Sequence, residues 1–179
     1  MTASAHPGRP PQLRPLFEIL NRHGVDFVVI GGIAGGAHGS ALATFDLDIA
    51  YARDDANLDR LAAALAEMDV ALRGAPEDLP FQVDAKTLAN GSNFTFETAY
   101  GSFDVLGHVD GMRDFESLRV NAAIQQIAGA AVRVASICDL IAMKRAANRP
   151  KDQVAVEEYI VIADEQKRLA REKKERGED

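Results

Sequence analysis

Apolar positions at Leu13, Leu16, Phe17 and Leu20 recur at helical spacing, so residues 13–22 are expected to form a helix that Gly24 stops. Residues 25–30, V-D-F-V-V-I, are β-branched and aromatic and predict a mostly buried strand. Gly31-Gly32 ends it, and the small residues 33–39 predict a short helix able to pack close to its neighbours. A second strand is expected over 47–50. Asp54 or Asp55 can then cap a helix whose stripe is Leu58, Leu61, Ala62, Leu65 and Met68.

Residues 73–90 have little period and read as loop with one short element. Phe94, Phe96 and Thr98 alternate with polar neighbours, 99–102 turns, and 103–106 returns, which is a hairpin. Residues 124–127 and 132–134 flank Ala128-Gly129-Ala130-Ala131 as a second hairpin. Ser136 caps a helix to about Ala147, Asn148-Arg149-Pro150 interrupts it, and a last helix starts near Lys151–Asp152. Strands and helices in alternation predict a mixed α/β (α+β) domain over 13–163, a small mixed sheet flanked by helices. Residues 1–12, with Pro7, Pro10 and Pro11, read as a loose, disordered lead-in, and 164–179 as a charged helical tail.

Composition narrows the class. The chain has 179 residues, 47% apolar and 26% charged, which suits one domain with its own core. No apolar run is long enough to span a membrane, and residues 1–11 lack the apolar core of a secretory signal. One cysteine, Cys138, excludes an internal disulfide, fits a cytoplasmic setting, and is expected as a small buried hydrophobe. A net charge of −7 argues against broad DNA or RNA binding, though not against a local basic pocket for one polyanion.

The candidate chemistry lies in residues 31–48, G-G-I-A-G-G-A-H-G-S-A-L-A-T-F-D-L-D. Asp46 and Asp48, two apart on a strand, share one face, and such close like charges need a compensating cation. Magnesium, which takes oxygen ligands and substrate phosphates, is the natural one. Spacing alone is weak evidence: Glu67-x-Asp69 and Asp114-x-Glu116 have it too and read as solvated surface charges. What sets Asp46 and Asp48 apart is the core-facing Leu47 and Ile49 between and beside them, and the glycine turn upstream. That turn either lets backbone approach a phosphate or simply makes a tight bend. Asp104, between Phe103 and Val105, is either an exposed edge carboxylate or, if its strand lies beside 47–50, the third member of a cluster. Lys144 extends the stripe of Ile137, Leu140 and Ile141, so it must snorkel to water or meet an anion, with Arg145, Arg149 and Lys151 nearby. His38 reads as a catalytic group or as a hydrogen-bonded tie to the Thr44 loop, and His23 and His108 have no evident partners in sequence.

A strand, a Gly-Gly turn, a short helix with His-Gly, Thr-x-Asp-x-Asp and a later apolar-Asp-apolar strand together resemble the nucleotidyltransferase superfamily. The chain is most similar there to the small bacterial nucleotidyltransferase toxins of the AbiEii kind. Gly31-Gly32 with Asp46-Leu47-Asp48 also resembles the tRNA CCA-adding enzymes, and Asp139-Leu140-Ile141 through Lys144 to Arg149-Pro150-Lys151-Asp152 is similar to the ending of the small proteins. The resemblance implies the nucleotidyltransferase fold, with Asp46, Asp48 and Asp104 as catalytic ligands of two magnesium ions, manganese being the alternative. It implies that Gly31, Gly32, Ser40, Lys144 and Lys151 bind the phosphates of an NTP. The implied acceptor is a hydroxyl on RNA or tRNA, a protein side chain or a small molecule, and the implied partner is an antitoxin-type protein. One departure stands out: the family often has arginine two residues before the threonine, where this chain has Leu42. That favours a second reading, a catalytically weak nucleotide- or partner-binding protein with the same fold.

Overall fold

The structure, a computed structural model, describes residues 10–76, 81 and 83–177. The lead-in expected over residues 1–12 therefore lies almost wholly outside the described residues. Seven strands form one mixed sheet, in the order β3-β4-β5-β2-β1-β7-β6. Here β1 is Phe27–Ile30, β2 Asp46–Tyr51, β3 Ala71–Leu72, β4 Asn93–Thr98, β5 Gly101–Leu106, β6 Ala123–Ile127 and β7 Ala130–Val134. The helices are α1 (Leu13–Arg22), α2 (Gly31–Ala37), α3 (Asp55–Glu67), α4 (Ala85–Asn90), α5 (Phe115–Asn121), α6 (Ile137–Ala147) and α7 (Pro150–Arg176).

At the centre β1 pairs antiparallel with β2 and parallel with β7, while β2 runs parallel to β5. β1 is buried along its whole length, as its run of Phe, Val and Ile requires of a strand covered on both faces. In β2 the alternation is clean at the start: Leu47 and Ile49 are buried, whereas Asp46 and Asp48 are only partly so. The two acidic residues therefore leave the core side of the sheet while the strand stays anchored by their neighbours.

Helix ends follow their side chains. Asp54 accepts from the Asn57 backbone N–H at 3.0 Å to cap α3, and Ser136 accepts from Asp139 N–H at 3.1 Å to cap α6. Asn148 closes α6 in the left-handed region at φ 47°, and Pro150 opens α7. Helix α7 continues without a break to Arg176, its outer half supported by pairs within the helix such as Arg168 with Glu165 and Glu172.

Several expectations needed correction. Helix α2 begins in the glycine pair itself, at Gly31, rather than at residue 33. The short α5 stands where a loop is expected, because only Leu118 of its seven residues is buried; Asp114, exposed as expected, is also its N-cap. The two-residue edge strand β3 is likewise too short to leave a period. Cys138 is exposed, since the buried stripe of α6 runs through Ile137, Leu140 and Met143 and turns the cysteine away. His23 does have a partner: its Nε2 lies 2.7 Å from Glu67 Oε2, where Arg22 also pairs, tying α1 to α3 across the chain.

Asn57 is the polar pin of this frame. It is fully buried in α3, accepts from Asp26 N–H at 2.7 Å, and donates to Asp26 O at 3.0 Å and Ala52 O at 2.8 Å. These bonds join the approach to β1 and the exit from β2, the two strands that carry the glycine turn and the aspartates. Replacing Asn57 with leucine leaves those backbone groups buried and unpaired, at a cost of about 2–4 kcal/mol. Thermal unfolding is expected to show a clear fall in Tm for Asn57→Leu, and an unchanged Tm would mean that water replaces the amide without loss.

Candidate active site

β2 and β5 run side by side with Asp48 opposite Asp104 and Asp46 opposite Ser102. In-register parallel pairing puts residues of like parity on one face, so Asp46, Asp48 and Asp104 converge. Each offers a carboxylate oxygen, and the three oxygens lie within 4.8 Å of one another. The open alternative for Asp104 is thereby resolved: it belongs to a cluster. The two pairs with the same spacing elsewhere stay dispersed, all four side chains being exposed.

The glycine turn is shaped by this cluster. Gly31 has φ +64°, and a Cβ there would stand 2.0 Å from Asp48 Oδ2 and 2.7 Å from its Cγ. A Cβ on Gly32 would stand 2.6 Å from the Thr44 side chain. Neither position has room for a side chain, so the backbone of α2 lies directly against the carboxylate and the loop that leads into it. Thr44 hydroxyl donates to Asp46 O and Oδ1, both at 3.3 Å, and steadies the entry to β2.

Burial raises the Asp48 pKa to about 7, with Asp46 and Asp104 adding repulsion and Lys144 and Lys151 pulling the other way. Asp104 is raised to about 6, again by burial first, against the pull of Arg73. Arg73 Nη2 donates to Asp104 Oδ1 at 2.7 Å and its Nε to Glu97 Oε1 at 2.9 Å, while Ser102 hydroxyl donates to the same Glu97 oxygen at 3.0 Å. Arg73 was not visible as a site residue because it follows the two-residue β3 at the start of an aperiodic stretch; only the fold brings it to β5.

Two clefts meet at the cluster. The first, of about 490 Å³, is lined by Asp46, Asp48 and Asp104 on the sheet side, by Gly32 and residues 42–45, and by Lys144, Arg149 and Lys151 from the junction of α6 and α7. The second, of about 400 Å³, shares Asp48, Lys144 and Arg149 and is otherwise lined by Ile30, Leu106, Val109, Leu140, Met143 and Ala147, with Asn93, His108 and Asp110; of the glycine pair, Gly31 lines this cleft and Gly32 the first. Lys144 meets an anion from its own side: Nζ donates to Asp152 Oδ1 at 2.8 Å. Asp152, fully buried, also accepts from Arg149 Nε at 2.7 Å. Burial opposes its ionisation, yet those hydrogen bonds outweigh it and hold Asp152 below the ordinary carboxylate value. One buried carboxylate thus fixes two cations over three others, a role the motif ending in Asp152 did not disclose.

Other residues fall elsewhere. Ser40 lines neither cleft; its hydroxyl donates to Glu158 Oε2 at 2.5 Å, and Glu158 Oε1 accepts from Ala41 N–H at 2.9 Å. His38 ties α2 to the rest of the fold, with Nε2 at 2.8 Å from Ala135 O and Nδ1 at 3.2 Å from Gln166 Nε2, and not to the Thr44 loop.

A carboxyl whose folded pKa is raised binds more protons folded than unfolded, so it costs stability as pH climbs from about 4 towards the folded value. In the absence of divalent ions, the protein is therefore expected to lose thermal stability between pH 5 and pH 8. Asp48→Asn should flatten that fall and melt above the wild type at pH 8; a wild type that gains stability over this interval contradicts the electrostatics.

Neither a protein-family model nor a curated protein sequence matches the chain. Solved structures do. The lincosamide antibiotic adenylyltransferase LnuA, in its lincomycin-bound form, aligns with TM-score 0.58 over 87% of this chain and 99% of its own, at 11% identity. The antibiotic-resistance factor ANT(2'')-Ia aligns in solution with TM-score 0.52, 14% identity, and 93% and 96% coverage. Its crystal structure with adenylyl-2''-tobramycin gives TM-score 0.52 and 14% identity over 88% and 96%. At these identities the likeness is one of architecture. The chain has the nucleotidyltransferase fold, with an acidic cluster fit for a metal on β2 and β5.

Proposed function

We propose that the protein transfers a nucleoside monophosphate from a magnesium–NTP complex to a hydroxyl acceptor, releasing pyrophosphate. The observation that supports this best is the first cleft, where three carboxylates face three cations. The donor set is all oxygen, closely spaced and mutually repelling, which fits a hard divalent ion. Magnesium held by Asp46, Asp48 and Asp104, or manganese in its place, would neutralise phosphate charge and make the acceptor hydroxyl more acidic.

The chain's own residues supply the rest. Gly32, without a side chain, lets backbone stand beside the phosphates in the first cleft, and Gly31 does the same for Asp48 where the second cleft begins. Lys144, Arg149 and Lys151 bind the outer phosphates and steady pyrophosphate as it leaves. Ser40 serves by holding the loop after α2 through Glu158 rather than by touching phosphate. Asp104, oriented by Arg73, directs the acceptor hydroxyl and takes up its proton. The acceptor oxygen bonds to the α-phosphorus as the bond to pyrophosphate breaks in line, so catalysis is chiefly positioning and charge neutralisation.

The second cleft reaches Asp48 from another side and suits the acceptor. Its volume of about 400 Å³ and its mixed lining, apolar at Ile30, Leu106, Leu140 and Met143 and polar at Asn93, His108 and Asp110, match a small hydroxylated molecule. The net charge of −7 gives little support to a long RNA track. LnuA with lincomycin and ANT(2'')-Ia with adenylyl-2''-tobramycin show small acceptors on this fold. Leu42, standing where arginine is frequent, supports the other reading, a protein that binds the nucleotide and does little chemistry.

Label transfer from α-labelled NTP, with RNA, protein and small-molecule fractions as acceptors, separates the two. The wild type is expected to release pyrophosphate and label one class, while Asp46→Asn or Asp48→Asn loses activity by about a thousandfold or more with the fold intact. Lys151→Ala is expected to raise KM for NTP by roughly three- to tenfold with little change in kcat. Magnesium–NTP binding without transfer to any fraction would overturn the enzyme in favour of the binding protein.

A further inference from the structure

The first cleft has unlike walls. Lys144, Arg149 and Lys151 supply charge to its lining, whereas residues 42–45 supply none and instead present Leu42 and Phe45. Phe45 is 51% exposed and Leu42 40% exposed. Of the chain's eight phenylalanines, only Phe45 is exposed, and no tyrosine is. Its neighbours on β2 make this unexpected. Continuing the strand alternation backwards from Asp46 would place Phe45 with Leu47 and Ile49, which are fully buried. The chain instead bends at Phe45, just before β2 begins, and the ring lies at the cleft beside Asp46. Thr44 holds that bend through its bonds to Asp46.

We propose that Phe45 is the platform on which the nucleobase of the NTP stacks, with Leu42 as its apolar border. This rests on the transferase reading of the same cleft. A nucleoside triphosphate needs two kinds of surface: cations for its phosphates and a flat apolar face for its base. The cationic wall answers the first need; of the two aromatic residues that line this cleft, Tyr159 is 1% exposed and Phe45 51%, so Phe45 is the one that can answer the second. Stacking on a ring tolerates any base and favours the larger purines, so the platform predicts ATP and GTP over UTP and CTP.

The test compares magnesium-loaded ATP, UTP and inorganic tripolyphosphate, which has the charge but no base, by titration calorimetry on the full chain. Phe45→Ala is expected to weaken ATP binding by about five- to tenfold, UTP by less, and tripolyphosphate not at all. Phe45→Trp, which keeps a ring, should restore ATP binding. Equal losses for ATP and tripolyphosphate would overturn the platform, showing that the substitution only disturbs the neighbouring aspartate. Unchanged affinity for all three would also overturn it and leave the exposed ring to a protein partner. If the wild type binds neither ATP nor tripolyphosphate, the transferase reading itself falls and the platform with it; if it binds tripolyphosphate as well as ATP, only the platform falls.

Discussion

Three carboxylates held within 4.8 Å of one another on adjacent strands repel, and the surrounding structure can be read as the set of devices that tolerates this repulsion. Leu47, Ile49, Phe103 and Val105 are fully buried and keep both strands from moving apart. Arg73 compensates Asp104 from one side. Lys144 and Lys151 ease Asp48 from the other, and partial protonation of Asp48 near pH 7 absorbs what remains. A fold selected for stability alone has no use for such an arrangement, since burying like charges costs free energy unless something binds between them. The repulsion is therefore the best sign that the cluster awaits a cationic ligand.

The cations opposite are organised by the same logic in reverse. Asp152 is buried where helix α6 ends and α7 begins, and it binds the side chains of Lys144 and Arg149. Because Lys144 and Arg149 are anchored by a single carboxylate, they keep a fixed place in both clefts. Removing one member of so buried a group would leave a charge without a partner. The break at Asn148-Arg149-Pro150 thus does more than end a helix: it turns the chain so that α7 can set its first turn against the aspartates.

Much of this was legible in the sequence where local chemistry decides it. The period of α3, the alternation in β4, the β-branched run of β1 and the Ser136 cap all speak within a few residues. Asp46 and Asp48 were legible as a pair because strand geometry alone puts them on one face. Asp104 could not be placed until β2 and β5 were known to be parallel neighbours, since 55 residues of chain lie between Asp48 and Asp104. Arg73 and Asn57 reach partners 31 residues away in Asp104 and Asp26 and left no local signal. Phe45 lies outside the strand expected over 47–50, and only its exposure at the bend before β2 marks it out.

The central claim is that the repelling carboxylates form one site for divalent ions coupled to the nucleotide. Manganese binding followed by electron paramagnetic resonance, with and without a non-hydrolysable NTP analogue, tests it most directly. Manganese is expected to bind the wild type, more tightly when the analogue is present, and to be lost in Asp48→Asn although that variant remains folded. Manganese bound equally by wild type and Asp48→Asn, or no binding by the wild type with the analogue present, would contradict it.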